Sequence, residues 1–196
     1  MKKGSIILIV ILAIIGLGGC MTCNSQKTLV TLDEGVKKAW SDVETQYQRR
    51  NDLIGNLVET VKGYAKHEQS TLTAVIEARS KASQMQVDAS NLNAEQIEKF
   101  QAAQGQLTTA MQRLMVVQEQ YPQLKADTQF LKLQDELTGT ENRIATARGR
   151  FNETVQEYNV YARQFPNNIM AGMLGFEVKG TFKAEAGAEK APEVKF

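Results

Sequence analysis

The residues with which this chain could do chemistry are few: two cysteines, Cys20 and Cys23, one histidine, His67, and scattered carboxylates such as Glu59, Glu68 and Glu141. A protein metal site takes three or four ligands at characteristic spacing, which a lone imidazole beside Glu68 cannot supply. Helical bundles can hold di-iron centres on Glu-x-x-His motifs, but the residue three before His67 is Tyr64. No glycine-rich phosphate loop follows a strand pattern, no nucleophile elbow occurs, and the serines lack a second histidine to act as base. The carboxylates show no pairing. These residues predict a protein that is not an enzyme, with no catalytic, cofactor-binding or metal site.

The cysteines lend themselves to different chemistry. Cys20-Met21-Thr22-Cys23 has the spacing of a redox pair, but it lies outside a βαβ unit, and no histidine follows it as haem attachment requires. Leu17-Gly18-Gly19-Cys20 instead resembles a bacterial lipobox, in which small residues expose the bond before a cysteine whose thiol then takes a lipid. What precedes it fits. Lys2 and Lys3 lead into an uncharged stretch with an apolar heart at residues 6–17, the layout of a signal peptide or signal anchor. Residues 6–21 would rise about 24 Å as a helix, short of the roughly 30 Å hydrocarbon core. The segment, residues 1–26, is expected to tether the chain either through acylated Cys20 or as a marginal spanning helix. The positive-inside bias puts the two lysines in the cytoplasm and the remainder of the chain on the periplasmic side of the cell envelope.

Elements that present no chemistry of their own must give the chain its shape. Three prolines, fourteen glycines and a high content of Ala, Gln, Glu, Leu and Lys favour helix. Apolar residues recur at steps of three and four through Leu29, Leu32, Val36, Trp40, Val43, Tyr47, Ile54, Leu57, Val61 and Tyr64, one stripe of a long amphipathic helix. Gly55 and Gly63 weaken it, so a kink or break is expected near residues 51–55 or 63–67. A second helix runs through Leu72, Val75, Ile76 and Arg79 and fades after Met85. Asn93 followed by Gln96 has the form of a helix start. The third stripe includes Phe100, Leu107, Leu114 and Val117 and should end near Tyr121, ahead of Pro122.

The fourth stripe is the most regular: Phe130, Leu133, Leu137, Thr140, Ile144, Ala147, Phe151, Val155, Tyr158 and Ala162, ended by Pro166. Four such stripes predict an all-α fold, an antiparallel four-helix bundle over residues 27–176 behind the anchor. Residues 177–196 read as a polar, disordered tail.

Two charged blocks flank the stripes, Arg49-Arg50-Asn51-Asp52 and Glu141-Asn142-Arg143. One reading makes Arg49, Arg50, Asp52, Glu141, Asn142 and Arg143 register-setting charges of the kind seen beside coiled-coil seams; the sharper one makes them a docking face. With 23 basic and 22 acidic residues the net charge is +1, which removes the electrostatic footprint of nucleic-acid binding.

At these blocks the chain resembles a known family. WSDVETQYQRRNDLIGNLVETVKGYAKHE, residues 40–68, and TENRIATARGRFNETVQEYNVYARQFP, within residues 123–176, are similar to the two signature blocks of the LemA family. The resemblance implies a bacterial membrane-associated protein with an N-terminal hydrophobic helix, a helical-bundle domain and no assigned enzymatic activity. One departure is Gly55, where the family carries proline. The expected function is a membrane-anchored envelope scaffold or adaptor that meets other envelope proteins, or itself, through helical faces. The alternative is a module that binds or remodels the membrane surface through the apolar patch at residues 169–176. The lipobox makes one prediction: protein purified from native membranes should have the mass of a chain starting at Cys20 plus acyl groups, and Cys20→Ala should abolish that form. An unprocessed mass with both cysteines free contradicts acylation.

Overall fold

A computed structural model describes the backbone of residues 3–65 and 68–184 and the side chains of residues 24–65 and 68–184. His67 and the side chains of Cys20 and Cys23 lie outside the described residues. The described chain is all-helical, with no strand among its residues. Its elements are α1 (Lys3–Tyr64), α2 (Gln69–Gln84), α3 (Ala94–Gln118), a short α4 (Pro122–Lys125), α5 (Thr128–Arg163) and α6 (Asn167–Leu174), followed by an extended segment over residues 175–184. Among the described residues no helix is long and apolar enough to cross a membrane.

Local chemistry sets most of the boundaries. The Asn93 side chain accepts the Gln96 N–H at 2.9 Å and starts α3, and Asp127 does the same for α5 through the Phe130 N–H at 2.8 Å. The third helix ends at Gln118 rather than Tyr121, because Pro122 opens α4 at a first-turn position, where its missing N–H is no loss. Gly175, at φ 76°, closes α6 in the left-handed conformation that glycine adopts without strain.

Of the two places where the first helix is expected to kink or break, residues 63–67 hold its end and residues 51–55 do not interrupt it. α1 runs 62 residues without interruption to Tyr64. Gly55 serves clearance instead: a Cβ there would sit 3.0 Å from the Arg79 guanidinium, which reaches across from α2 to donate to the Asn51 carbonyl at 2.8 Å.

α1 and α5 pack antiparallel in a register marked by three cross-links, one within α5 and one just beyond each of its ends. Ser25 Oγ donates to Asn167 at 2.8 Å, Arg50 to Glu141 at 3.1 Å, and Tyr64 to Asp127 at 2.7 Å. Going from the first pair to the second advances 25 residues along one partner and 26 back along the other; the next interval is 14 on both. Around this pair, Leu57 and Val61 of α1, Val75 of α2, Leu107 and Leu114 of α3, and Phe130 of α5 fill a common core. Toward the other end α2 has stopped, and Val87, Leu92 and the extended segment fill the core in its place.

Four rings form the centre of that second core. Trp40 meets Phe100 and Phe151 edge-on at 5.2 and 5.4 Å between centroids, and Phe182 stacks against Trp40 at 6.0 Å. Phe182 belongs to the stretch expected to be a disordered tail, and for residues 177–184 that expectation is corrected. The segment lies along α5, held by its backbone. Asn152 exchanges two hydrogen bonds with Phe182 at 2.9 and 3.0 Å, and Asn159 does the same with Lys179 at 2.9 Å. The spacings match, since seven helical residues and three extended ones each cover about 10 Å. Gly180 donates to the Leu92 carbonyl at 2.8 Å, and a Cβ on it would stand 2.6 Å from the Ala94 backbone, so only glycine fits.

Lys179 completes the attachment with a buried ion pair to Asp33 at 3.0 Å; Lys37 approaches the same carboxylate at 2.9 Å. Burial pushes the Asp33 carboxyl up, but the two lysines outweigh it and hold its pKa below the ordinary 3.8. A depressed pKa contributes stability that is complete above the unfolded value and fades as pH falls through the folded one. Acid below about pH 4 should therefore loosen residues 177–184, and Asp33→Asn should do so at neutral pH. Gly180→Ala should loosen the same residues through overpacking, at about 1–3 kcal/mol. Amide exchange at residues 179–182 measures all three; unchanged protection in both variants contradicts the assignment.

Candidate interaction surface

Of the six residues singled out in the two charged blocks of the sequence, the structure brings two together and separates the rest. Arg50 is 3% exposed, at the level where α1, α3 and α5 converge, and it does not lie on an open docking face. Its guanidinium donates to Gln104 of α3 and to Glu141 of α5, approaches Thr108 at 3.5 Å, and lies over the Tyr47 ring at 4.9 Å. Gln104 passes the connection to α2 through the Ala82 carbonyl at 3.4 Å. The Arg50 side chain thus joins α1, α3 and α5, and Gln104 extends the link to α2; Nε is the only buried nitrogen of Arg50 lacking a partner. Arg49, Asp52, Asn142 and Arg143 are exposed; Asp52 accepts from Gln48 at 3.0 Å, and Arg143 turns toward Thr140 at 3.4 Å.

Sequence reasoning missed Gln104, although a signal was present: it stands four residues after Phe100 and three before Leu107, at a stripe position occupied by a polar residue. The Arg50 signal was the gap in the first stripe between Tyr47 and Ile54, where residues 50 and 51 complete the spacing and both are buried.

Two clefts flank this polar centre. One, of about 520 Å³, opens between α1 and the end of α2 over Glu44, Tyr47, Asn51, Ser83 and Gln86; burial pushes the Glu44 carboxyl up. The other, of about 370 Å³, is an apolar groove between α3 and α5 over Ile54, Leu107, Met111, Met115 and Leu137, with Gln112, Gln134 and Thr138 at its rim. The groove continues the track taken by the extended segment. The Lys183 carbonyl is held at 3.0 Å by both Gln101 of α3 and Arg148 of α5, and Leu107 and Glu141 lie six and seven residues further along those helices. Among the described residues no group of three His, Cys, Asp or Glu side chains converges to hold a metal.

These features define a class: an all-helical chain whose first helix starts as an apolar segment and continues into the core, with surface grooves between its helices. Within that class the chain belongs to the LemA family, whose model matches residues 39–196. It is similar to the magnetosome proteins MamQ 1 and MamQ 2 of Paramagnetospirillum magneticum, each 29% identical over 167 residues, covering 76% of this chain and 61% of theirs. The chain therefore spans about three fifths of the length of those relatives. The magnetosome protein MamQ of Magnetospirillum gryphiswaldense is 26% identical over 196 residues, covering 90% of this chain and 72% of its own. The protein LemA of Metamycoplasma hominis is 26% identical over 134 residues, with coverage of 68% and 54%.

The Arg50 centre predicts a non-additive result. Arg50→Ala should cost about 3 kcal/mol, because it empties a packed site and strands Gln104 and half-exposed Glu141. Arg50→Met combined with Gln104→Leu should recover to within about 1 kcal/mol of the parent, since the two buried polar partners go together and the remaining Glu141 carboxylate is half-exposed and can be solvated. Chemical denaturation of the single and double variants reads both values; simple additivity contradicts the role.

Proposed function

We propose that this protein is a membrane-tethered, non-enzymatic scaffold of the bacterial envelope, a four-helix bundle that receives an extended segment of a partner protein in the groove between α3 and α5. The observation that supports this reading most directly is the groove's own behaviour about two turns away. There the same two helices hold residues 179–183 by their backbone, through Asn152, Asn159, Gln101 and Arg148, and seat one aromatic side chain in the core. Recognition by backbone bonds with one apolar anchor is a general mode of peptide capture. The vacant stretch offers the same chemistry, with Gln112, Gln134 and Thr138 as the polar rim and Met111 and Met115 as an adaptable apolar floor.

The tether rests on the apolar stretch at residues 6–17, the two lysines before it and the lipobox-like Cys20. Kinship with magnetosome proteins and with LemA supports a place in the envelope. The second reading, a module acting on the membrane surface, is favoured by exposed apolar side chains at the tether end of the bundle.

A photoreactive residue placed at Met115 in cells should yield a heavier protein adduct, and the same residue at Val116, which is 65% exposed on α3, should not. Monomer alone at both positions contradicts the groove's proposed role.

A further inference from the structure

Among the described residues, most of the large apolar side chains left exposed gather at one end. Ile76, Val116 and Leu131 are single exposures on α2, α3 and α5, of a kind every protein surface carries. Val160, Phe165, Ile169, Met173, Leu174 and Val178 are different, with six exposures inside nineteen residues. Phe165 and Met173 are each 77% exposed, and Ile169 is 53% exposed. In α6, Ile169 and Met173 stand one turn apart on one face, while Ala171, the helix's buried residue, points the opposite way into the core.

The location of this patch follows from the α1–α5 register. Ser25 of α1 is hydrogen-bonded to Asn167, the first residue of α6. Five residues before Ser25 is Cys20, about 7.5 Å away along a helix, and the apolar segment precedes it. The headgroup layer of one leaflet is about 5–8 Å deep. Whether the chain is held by lipid on Cys20 or by the apolar segment itself, α6 is carried to the depth of the headgroups.

Charge agrees with position. Residues 18–32 and 158–176 contain no Asp or Glu, and they contribute the exposed cations Lys27 and Arg163. The first carboxylates beyond them are Asp33, already engaged by Lys37 and Lys179, and Glu157 and Glu177, which border the second stretch. Aromatic and long aliphatic side chains beside cations, without carboxylates, are the composition of an interfacial contact with anionic lipid.

We infer that the end of the bundle formed by Phe165, Ile169 and Met173, flanked by Lys27 and Arg163, sits in the headgroup layer of an anionic bilayer. This second contact fixes the orientation of the bundle on the membrane. The inference rests on the tether proposed above.

The test uses the full chain reconstituted into lipid discs of phosphatidylcholine, with and without phosphatidylglycerol. An environment-sensitive fluorescent amino acid replaces Phe165, Met173 or, as a control, Val116, and brominated lipids serve as quenchers. Quenching at 165 and 173 should exceed that at 116 several-fold and rise with the anionic lipid. Lys27→Glu with Arg163→Glu should reduce it, with the helical circular dichroism unchanged.

Equal, weak quenching at 173 and 116 in chains that co-elute with the discs overturns this inference and leaves the tether standing. A signal at 173 that responds to the number of chains per disc and not to brominated lipid assigns the patch to a second copy and overturns it as well. Failure of the chain to co-elute with discs removes the tether and the inference together.

Discussion

The antiparallel register of α1 and α5 is the constraint on which the rest of the molecule depends. Both helices carry apolar residues every three to four positions over their shared length, and hydrogen bonds at Ser25–Asn167, Arg50–Glu141 and Tyr64–Asp127 mark the same alignment at both ends and the middle. A slip of one turn would leave the buried Arg50 without its carboxylate and would carry α6 away from Ser25. Burial alone specifies such a register weakly, because one Leu or Val replaces another at similar depth. A buried cation has few acceptable partners and specifies it sharply.

Against this pair the α2–α3 hairpin supplies the rest of the core in one half of the molecule, and its shortness shapes the other half. Once α2 ends, two long helices and the start of α3 cannot enclose Trp40 by themselves. Phe182 completes the enclosure, brought there by a segment that gains its attachment mainly from backbone bonds to two asparagines. The same spacing between α3 and α5 leaves the apolar groove beyond residue 183. The groove is therefore the unfilled remainder of a gap that the chain itself half occupies.

Much of this was legible in the sequence, where period and burial coincide. Nine of the ten residues of the last stripe are buried, Ala147 being partly buried, and the Asn93 cap stands where the motif put it. Glycine misled at Gly55, because the sequence does not tell a weak helix position from a clearance demanded by Arg79 on a neighbouring helix. Arg50 was visible as a charge and not as a buried one; only its place in the gap of a stripe hinted at depth. The docking of residues 177–184 was out of reach of hydropathy. Asn152 and Asn159, seven residues apart, look like any solvated pair until the extended segment lies beside them, and a single Phe182 in a polar run has too little apolar content to predict burial.

The central claim is that one rigid helix runs from the proposed tether directly into the helical core, so that the position of the membrane would dictate the position of α6 and of the groove. Amide hydrogen exchange across residues 24–36, in the full chain held in lipid discs, tests it most directly. A continuous helix packed through Leu29 and Val36, both fully buried, should exchange there as slowly as through the core around Trp40 and Ile54. Exchange at the rate of unstructured chain throughout residues 24–36 would mean a flexible linker, and the bundle's orientation on the membrane would no longer follow from its fold.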